Sequence, residues 1–441
     1  MNILYIHTHD SGRYLQPYGH NIATPHLMAL AREGTLFRNA FCAAPTCSPS
    51  RSALLTGMAP HSCGMIGLAH RGFQLTDYSN HLVQFLKGKG YETVLCGVQH
   101  EAPRAEMIGY HRILDGQAYH MGKTEKSGED QDIANARAVA DYLSKAPGKP
   151  FFLSFGMFST HREYPLPAED IDPNYVLPPF PLYDCERSRK DMAAYITSAR
   201  IADKCVGIVL KALEDAGLEE HTLILFTTDH GIAFPKMKCN LYDTGIGVAL
   251  ILKYHGNPAR GKALDALVSH IDIFPTLCDL AGLEKPPWLQ GVSMVPILEG
   301  EKEEIREGLY AEVTYHAAYE PMRCIRTRRY KLIRYYDEHD DFVPANIDDS
   351  PSKDFLVENG YLELTRDKEQ LFDLYFDPVG RVNLVNHPRY QEVYRDLSYR
   401  LDKWMQETHD PLLKGKVEKP RGAIVNKRRC LSPRMEDYEE Y

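Results

Sequence analysis

The strongest constraint on this chain is an alternation of short apolar runs with longer amphipathic ones. Residues 2–7 (NILYIH), 92–97 (ETVLCG), 151–158 (FFLSFGMF), 222–228 (TLILFTT) and 247–253 (GVALILK) are rich in β-branched and aromatic residues and lack strict polar alternation. That texture belongs to strands covered on both faces. Between them lie helix patterns: TPHLMALAREG with a Thr start and a Gly stop, SNHLVQFLKGKG, DIANARAVADYLSK and the long RKDMAAYITSARIADKCVGIVLKALEDAG. Strand alternating with helix predicts an α/β fold, a large mixed but mostly parallel sheet sandwiched by helices.

Near residue 283 the texture changes. EKPPWLQGVSMVPILEGE is rich in proline and glycine and reads as a connector. Beyond it, EGLYAEVTY, MRCIRTRRYKLIRYY and EQLFDLYFD read as antiparallel strands. YQEVYRDLSYRLDKWMQE reads as a helix with Val393, Leu397, Leu401 and Trp404 on one face. The expected division is a catalytic α/β domain over 1–304 and a smaller C-terminal α+β subdomain with an antiparallel sheet over 305–441. The acidic stretch 335–355 reads first as a solvated loop, too polar for core, and second as a wall of a substrate pocket.

The chain of 441 residues is long enough for both units. Its 44% apolar and 25% charged residues are those of an ordinary globular protein. A net charge of −9 argues against a nucleic-acid partner. The opening MNILYIHTHD runs straight into a strand, no apolar run is long enough to span a bilayer, and no Asn-x-Ser/Thr acceptor occurs. The expectation is a cytoplasmic protein without a membrane partner. Ten irregularly spaced cysteines fit free, mostly buried thiols.

The stretch CSPSRSALLTG, from Cys47, carries the chemistry. With Ser48 as cap and Pro49 at the first helical position, Leu54 and Leu55 anchor a helix in the core. Cys47 then falls just ahead of a helix start, where backbone N–H groups favour anions. Arg51 adds a fork suited to two-point contact with an oxyanion. A buried cysteine beside a capped helix accounts for Cys-x-Pro but not for the arginine and the Leu-Leu-Thr-Gly continuation.

This stretch resembles the signature of the type I sulfatases, Cys-x-Pro-Ser-Arg followed by Leu-Leu-Thr-Gly. The resemblance implies the alkaline-phosphatase-like fold and oxidation of Cys47 to formylglycine. In the family, one hydroxyl of the aldehyde hydrate, acidified by a divalent cation, attacks sulfur; the other then expels sulfate. It also implies a maturation enzyme, formylglycine-generating or radical, as a partner. Metal ligands are expected at the ends of two strands: His9 and Asp10 in THD, and Asp229 and His230 in TTDHG, with Cys47 alongside. The family has aspartate where His9 stands. Ca²⁺ is the first expectation, with Mg²⁺ or Mn²⁺ next; imidazole ligands shift preference toward Mn²⁺ or Zn²⁺.

The same resemblance places Lys238 (KCNLYDTG) and His100 (CGVQHEAP) with Arg51 among the catalytic residues, and makes His161 (FSTHREYP) the group that protonates the leaving atom. Val98 stands where the family carries a sulfate-binding lysine, and Gln99 offers a neutral donor instead. Family-like texture extends over nearly the whole chain and is nearest to members acting on N-sulfated glucosamine. Substrate contacts are expected from His70, Arg71, His316 and Arg323. The expected activity is hydrolysis of a sulfate ester or sulfamate of a small sulfated sugar, and a homo-oligomer is left open. Val98 and His230 motivate the alternative, a phosphonate monoester or phosphate diester hydrolase of the same superfamily.

Overall fold

The computed structural model describes residues 1–114, 128–145 and 147–440. Its strands are β1 (Asn2–Thr8), β2 (Thr35–Phe37), β3 (Ala40–Phe41), β4 (Glu92–Gly97), β5 (Arg112–Leu114), β6 (Phe151–Gly156), β7 (Thr222–Thr228), β8 (Leu250–Lys253), β9 (Ala263–Leu264) and β10 (Val268–Ser269). The main sheet has the order β5-β4-β6-β1-β7-β8-β2-β9. It is parallel from β5 to β7, while β8 runs antiparallel to both β7 and β2. A mixed, mostly parallel sheet is therefore present, and residues 247–249 precede β8 rather than belonging to it.

The helices are α1 (Pro25–Glu33), α2 (Cys47–Thr56), α3 (Pro60–Cys63), α4 (Leu82–Gly88), α5 (Gly128–Ser144), α6 (Glu186–Asp215), α7 (Asp243–Ile246), α8 (Ile273–Ala281), α9 (Val295–Leu298), α10 (Pro351–Glu358) and α11 (Gln391–Glu407). Alternate residues of β1 serve opposite layers. Ile3 and Tyr5 join Leu54, Leu55, Val83 and Phe274 of α2, α4 and α8, whereas Leu4 and Ile6 join Leu27, Val139 and Ala199 of α1, α5 and α6. Both faces are covered, which is why these strands read as continuous apolar runs. Gly97, at φ 79°, ends β4, because a Cβ there would lie 2.1 Å from the Gly156 carbonyl oxygen.

Four further strands, β11 (Gly308–Tyr315), β12 (Tyr319–Thr327), β13 (Tyr330–Tyr335) and β14 (Glu369–Asp373), form an antiparallel sheet. One face, with Ala311, Val313, Cys324 and Ile333, continues the main core; the other packs Ile325, Leu332 and Leu371 on Leu397, Leu401 and Met405 of α11. Val393 and Trp404 flank that contact, partly buried. Two details depart from expectation. Thr46 is the cap of α2, so Cys47 is its first residue and Ser48 lies inside it. The acidic stretch is not a wholly solvated loop: Val343, Ala345 and Asn346 are buried, and Ser350 caps α10. Among the described residues no helix is long and apolar enough to cross a membrane.

Candidate active site

β1 and β7 are paired in register, Thr8 beside Thr228, so His9-Asp10 and Asp229-His230 leave one sheet edge side by side. This is the carboxyl end of parallel strands, where α/β sheets place their sites. The backbone ties the junction: the N–H groups of Asp10 and His230 both donate to Asp229 Oδ1, at 2.8 and 2.9 Å. Gly231 follows because a Cβ there would meet the Thr244 carbonyl oxygen at 2.0 Å. With Oδ1 engaged, Asp229 Oδ2 faces Arg51 Nη2 at 3.1 Å, His9 Nδ1 at 3.2 Å and His230 Nε2 at 3.6 Å. Burial alone would push the Asp229 carboxyl up, but His230, Arg51 and His9 outweigh it and hold it well below the usual range.

Helix α2 delivers Cys47 to this junction, with Sγ 3.4 Å from His230 Nε2. Ser50 Oγ donates to the Asp229 carbonyl at 2.5 Å, and Ser48 Oγ accepts from the Ala69 N–H at 2.9 Å. Arg51 does not present the expected open fork. Nη2 donates to the Thr8 carbonyl (3.0 Å) and to Asp229, and Nη1 meets His7 Nδ1. The guanidinium therefore braces Asp229 and the end of β1. Burial pushes the Cys47 thiol well up, against the opposing pull of Lys238 and Arg51. An unmodified Cys47 is a neutral thiol here, not a thiolate nucleophile.

Lys238 Nζ lies 2.9 Å from Asp10 Oδ2 and 3.0 Å from Asp348 Oδ2. Its turn is tied to the α2 approach by the Cys239 N–H donating to the Pro45 carbonyl at 2.8 Å. Burial works against the ammonium, yet Asp10 and Asp348 hold the Lys238 pKa above its ordinary value. His161 Nε2 is 4.0 Å from Asp10 Oδ2, and its Nδ1 contacts the Arg162 carbonyl. Burial lowers the His161 pKa, with Asp10 opposing and Lys238 adding to the fall. His100 Nε2 lies 2.8 Å from Nδ1 of the exposed His70, their rings stacked. His316 is buried within electrostatic reach of Lys238 and Asp348, its Nδ1 without a hydrogen-bond partner.

Three expected residues point elsewhere. Arg323, 0% exposed, binds Asp410 through both Nε (2.6 Å) and Nη2 (3.0 Å), and its Nε lies 3.4 Å from Glu312 Oε2. His61 completes that cluster. The guanidinium is taken up by this buried cluster, so Arg323 is a buried structural cation rather than a substrate contact. Arg71 is engaged with the C-terminal segment, at Asn426 Oδ1 (2.7 Å) and the Pro433 carbonyl (2.7 Å). Gln99 closes its own turn, donating to the Ala102 carbonyl and accepting from the Glu101 and Ala102 N–H groups. It does not replace the cation absent at Val98.

Other contributors escaped the sequence reading. Asp348 comes from the acidic stretch, whose pocket-wall reading was the only signal for it. Arg162 forms a two-point pair with Asp191 (2.6 and 2.8 Å), and Ser352 Oγ donates to the same carboxylate at 2.6 Å. Glu101 is buried near Arg51, and burial raises its pKa to about 8, with Arg51 opposing.

The donor set fits a divalent ion. His9, Asp10, Cys47 and Asp229 place ligand atoms within 4.8 Å of one another. Asp10 Oδ1 and both His9 nitrogens are buried without hydrogen-bond partners. Among the described residues, the carboxylates of Asp10, Asp229 and Asp348 pair directly with two permanent cations, Arg51 and Lys238. A divalent ion would leave the pocket positive and suited to an anionic substrate.

The family profile described as Sulfatase matches residues 1–283, and one described as N-sulphoglucosamine sulphohydrolase, C-terminal, matches residues 234–367. The human protein N-sulphoglucosamine sulphohydrolase is 30% identical over 99% of this chain and 94% of its own length. An ulvan-active sulfatase of Formosa agariphila is 26% identical over 97% of this chain and 77% of its own. Among solved structures, a 2-O GAG sulfatase superposes with a TM-score of 0.72 at 23% identity, covering 96% of each chain. A protein in complex with D-glucosamine-2-N,6-O-disulfate superposes with a TM-score of 0.70 at 19% identity, covering 94% of this chain and 99% of that one. A profile match over more than half of the chain, together with a near full-length relative, makes this chain a member of the sulfatase family, a hydrolase of sulfuric esters or sulfamates.

Proposed function

We propose that this enzyme hydrolyses the sulfamate or sulfate ester of an N-sulfated glucosamine or a related glycosaminoglycan sugar, with Cys47 matured to formylglycine by a formylglycine-generating or radical enzyme. One observation carries the reading: Cys47 faces the Asp10–Asp229 junction while Lys238 and His161 both reach Asp10 from the pocket side. The C-terminal profile match and the human relative's name support N-sulfated glucosamine as the sugar.

The aldehyde, as its hydrate, would supply the attacking oxygen, expel sulfate through its second hydroxyl and be restored by one water per turnover, and a divalent ion would supply positive charge beside it. The chain's residues do the rest. Asp229 is fixed by Arg51 and by two backbone N–H groups, and Asp10 by Lys238, so their positions need little reorganisation when substrate arrives. Lys238, kept charged by Asp10 and Asp348, offers its remaining donor capacity to a sulfate oxygen. His161 carries its Nδ1 proton toward the Arg162 carbonyl, which leaves Nε2 to take and deliver a proton to the departing nitrogen or oxygen. Asp348 stands beyond Lys238, placed to accept from a sugar hydroxyl.

Comparing turnover of N-sulfoglucosamine, a sulfated aryl ester and a phenyl phosphonate tests this reading. Sulfate release from N-sulfoglucosamine with the highest kcat/KM supports it. Val98 and His230 favour the phosphonate or phosphate diester reading, and a phosphonate turned over orders of magnitude faster would replace the sugar-sulfate assignment.

A further inference from the structure

We propose that the ion held between the ends of β1 and β7 is a first-row transition ion of the Mn²⁺/Zn²⁺ class rather than Ca²⁺, because the imidazoles of His9 and His230 stand beside the carboxylates of Asp10 and Asp229. This inference rests on the active site proposed above and specifies its ion.

The tautomer of His230 is legible from its partners. Nδ1 lies 3.0 Å from the Gly231 carbonyl oxygen, which can only accept, so Nδ1 carries the hydrogen. Nε2 faces Asp10 Oδ1 at 3.3 Å, Cys47 Sγ at 3.4 Å and Asp229 Oδ2 at 3.6 Å. One imidazole nitrogen and two carboxylate oxygens thus converge on one point, where a cation can take all three. Fixing one ring nitrogen by a backbone carbonyl so that the other can ligate is how proteins prepare a metal-binding imidazole.

His9 makes the same argument from the other strand. Its side chain is 1% exposed, Nδ1 lies 3.2 Å from Asp229 Oδ2, and neither nitrogen makes a hydrogen bond. A ring buried this deeply with both nitrogens unpartnered is costly unless it binds something. Ca²⁺ takes six to eight oxygen ligands and gains little from imidazole, whereas Mn²⁺ and Zn²⁺ accept mixed nitrogen and oxygen sets.

The test uses the full chain as purified and again after chelation. Elemental analysis should find about one equivalent of a transition ion. Calorimetric titration of the stripped protein should give a Kd for Mn²⁺ or Zn²⁺ at least tenfold lower than for Ca²⁺, with a matching order of thermal midpoints. His9→Asp should move the Mn²⁺/Ca²⁺ preference at least tenfold toward Ca²⁺; His230→Asn should do likewise if the first variant fails to fold. Ca²⁺ binding as tightly as Mn²⁺ and Zn²⁺, no ion binding at all, or an unchanged preference in a folded variant overturns the inference. Sulfate release by a tight Ca²⁺ complex would sink this inference and leave the proposed function standing. Tight Mn²⁺ binding without sulfate release would do the reverse.

Discussion

Lys238 holds two carboxylates at once, and they differ in task. Asp10 belongs to the acidic strand ends, while Asp348 arrives from the far side of the pocket and is 16% exposed. Burial would push the Asp348 carboxyl up, but Lys238, His161 and His316 hold it well below the usual range. An ionised carboxylate at the mouth suits a sugar hydroxyl. Asp348→Asn should raise KM for N-sulfoglucosamine about tenfold, ~1.4 kcal/mol of binding, with kcat nearly unchanged. A sulfated aryl ester, lacking those hydroxyls, should be unaffected. Equal losses with both substrates would mean that Asp348 acts only through Lys238. His161 predicts a pH dependence. Burial lowers its pKa, so the imidazole is mostly neutral at pH 7, and its protonated fraction rises about tenfold per unit of acidification until that pKa is reached. The kcat for the sulfamate should climb as pH falls below neutrality, and His161→Gln should abolish the climb while lowering kcat by roughly 10²–10⁴-fold. A pH-independent kcat in the wild type would remove His161 as the acid.

At the scale of elements, the loop after β6 is strapped to its neighbours by one carboxylate. Asp191 on α6 receives both prongs of Arg162 and the hydroxyl of Ser352 on α10, so it fixes the His161 loop and the segment bearing Asp348 together. Asp191→Ala leaves a buried guanidinium unpaired and should cost about 3–5 kcal/mol in a denaturation experiment. Asp191→Asn should cost less and lower kcat on the sugar without changing affinity for the metal ion. No change in stability would show the strap to be idle. Elements like these differ in how far the sequence reveals them. The strands were legible because burial on two faces writes an unbroken apolar run. Helix α2 starts two residues earlier than expected: the first four N–H groups of a helix lack intrahelical partners, so proline fits anywhere in the first turn and does not mark its first residue. Helix α10 was hidden because the residues it buries, Ser352 and Lys353, are polar and leave no apolar face in the sequence. His9, Asp10, Asp229 and His230 could be picked out because the family resemblance points to the ends of those two strands. Asp348 and Asp191 could not, since their partners lie far away in the chain.

Over the whole molecule, the change of composition near residue 283 does not divide the core. Leu309, Val313, Met322 and Phe372 share a cluster with Phe41, Leu54 and Ile246 of the larger part. Polar ties reinforce it: Asp243 pairs with Arg326 at 3.0 Å and with Lys331 at 2.5 Å, and Lys331 also donates to the Leu241 carbonyl. The C-terminal sheet thus covers apolar surface that residues 1–304 alone would expose to water. Thermal unfolding should be a single transition, with Trp404 fluorescence and far-UV signal changing together, and residues 1–304 expressed alone should not give a folded, soluble protein. Two separated transitions, or a stable fragment, would mean that the sheet folds independently.

The central claim is that the residue at position 47 performs the reaction as an aldehyde in this pocket. The direct measurement is the rate of sulfate release from N-sulfoglucosamine in preparations whose Cys47 conversion, read from the mass of the peptide containing it, ranges from none to complete. The rate should rise in proportion to the converted fraction and pass through zero with it. Full activity in a preparation whose Cys47 is entirely thiol would contradict the account.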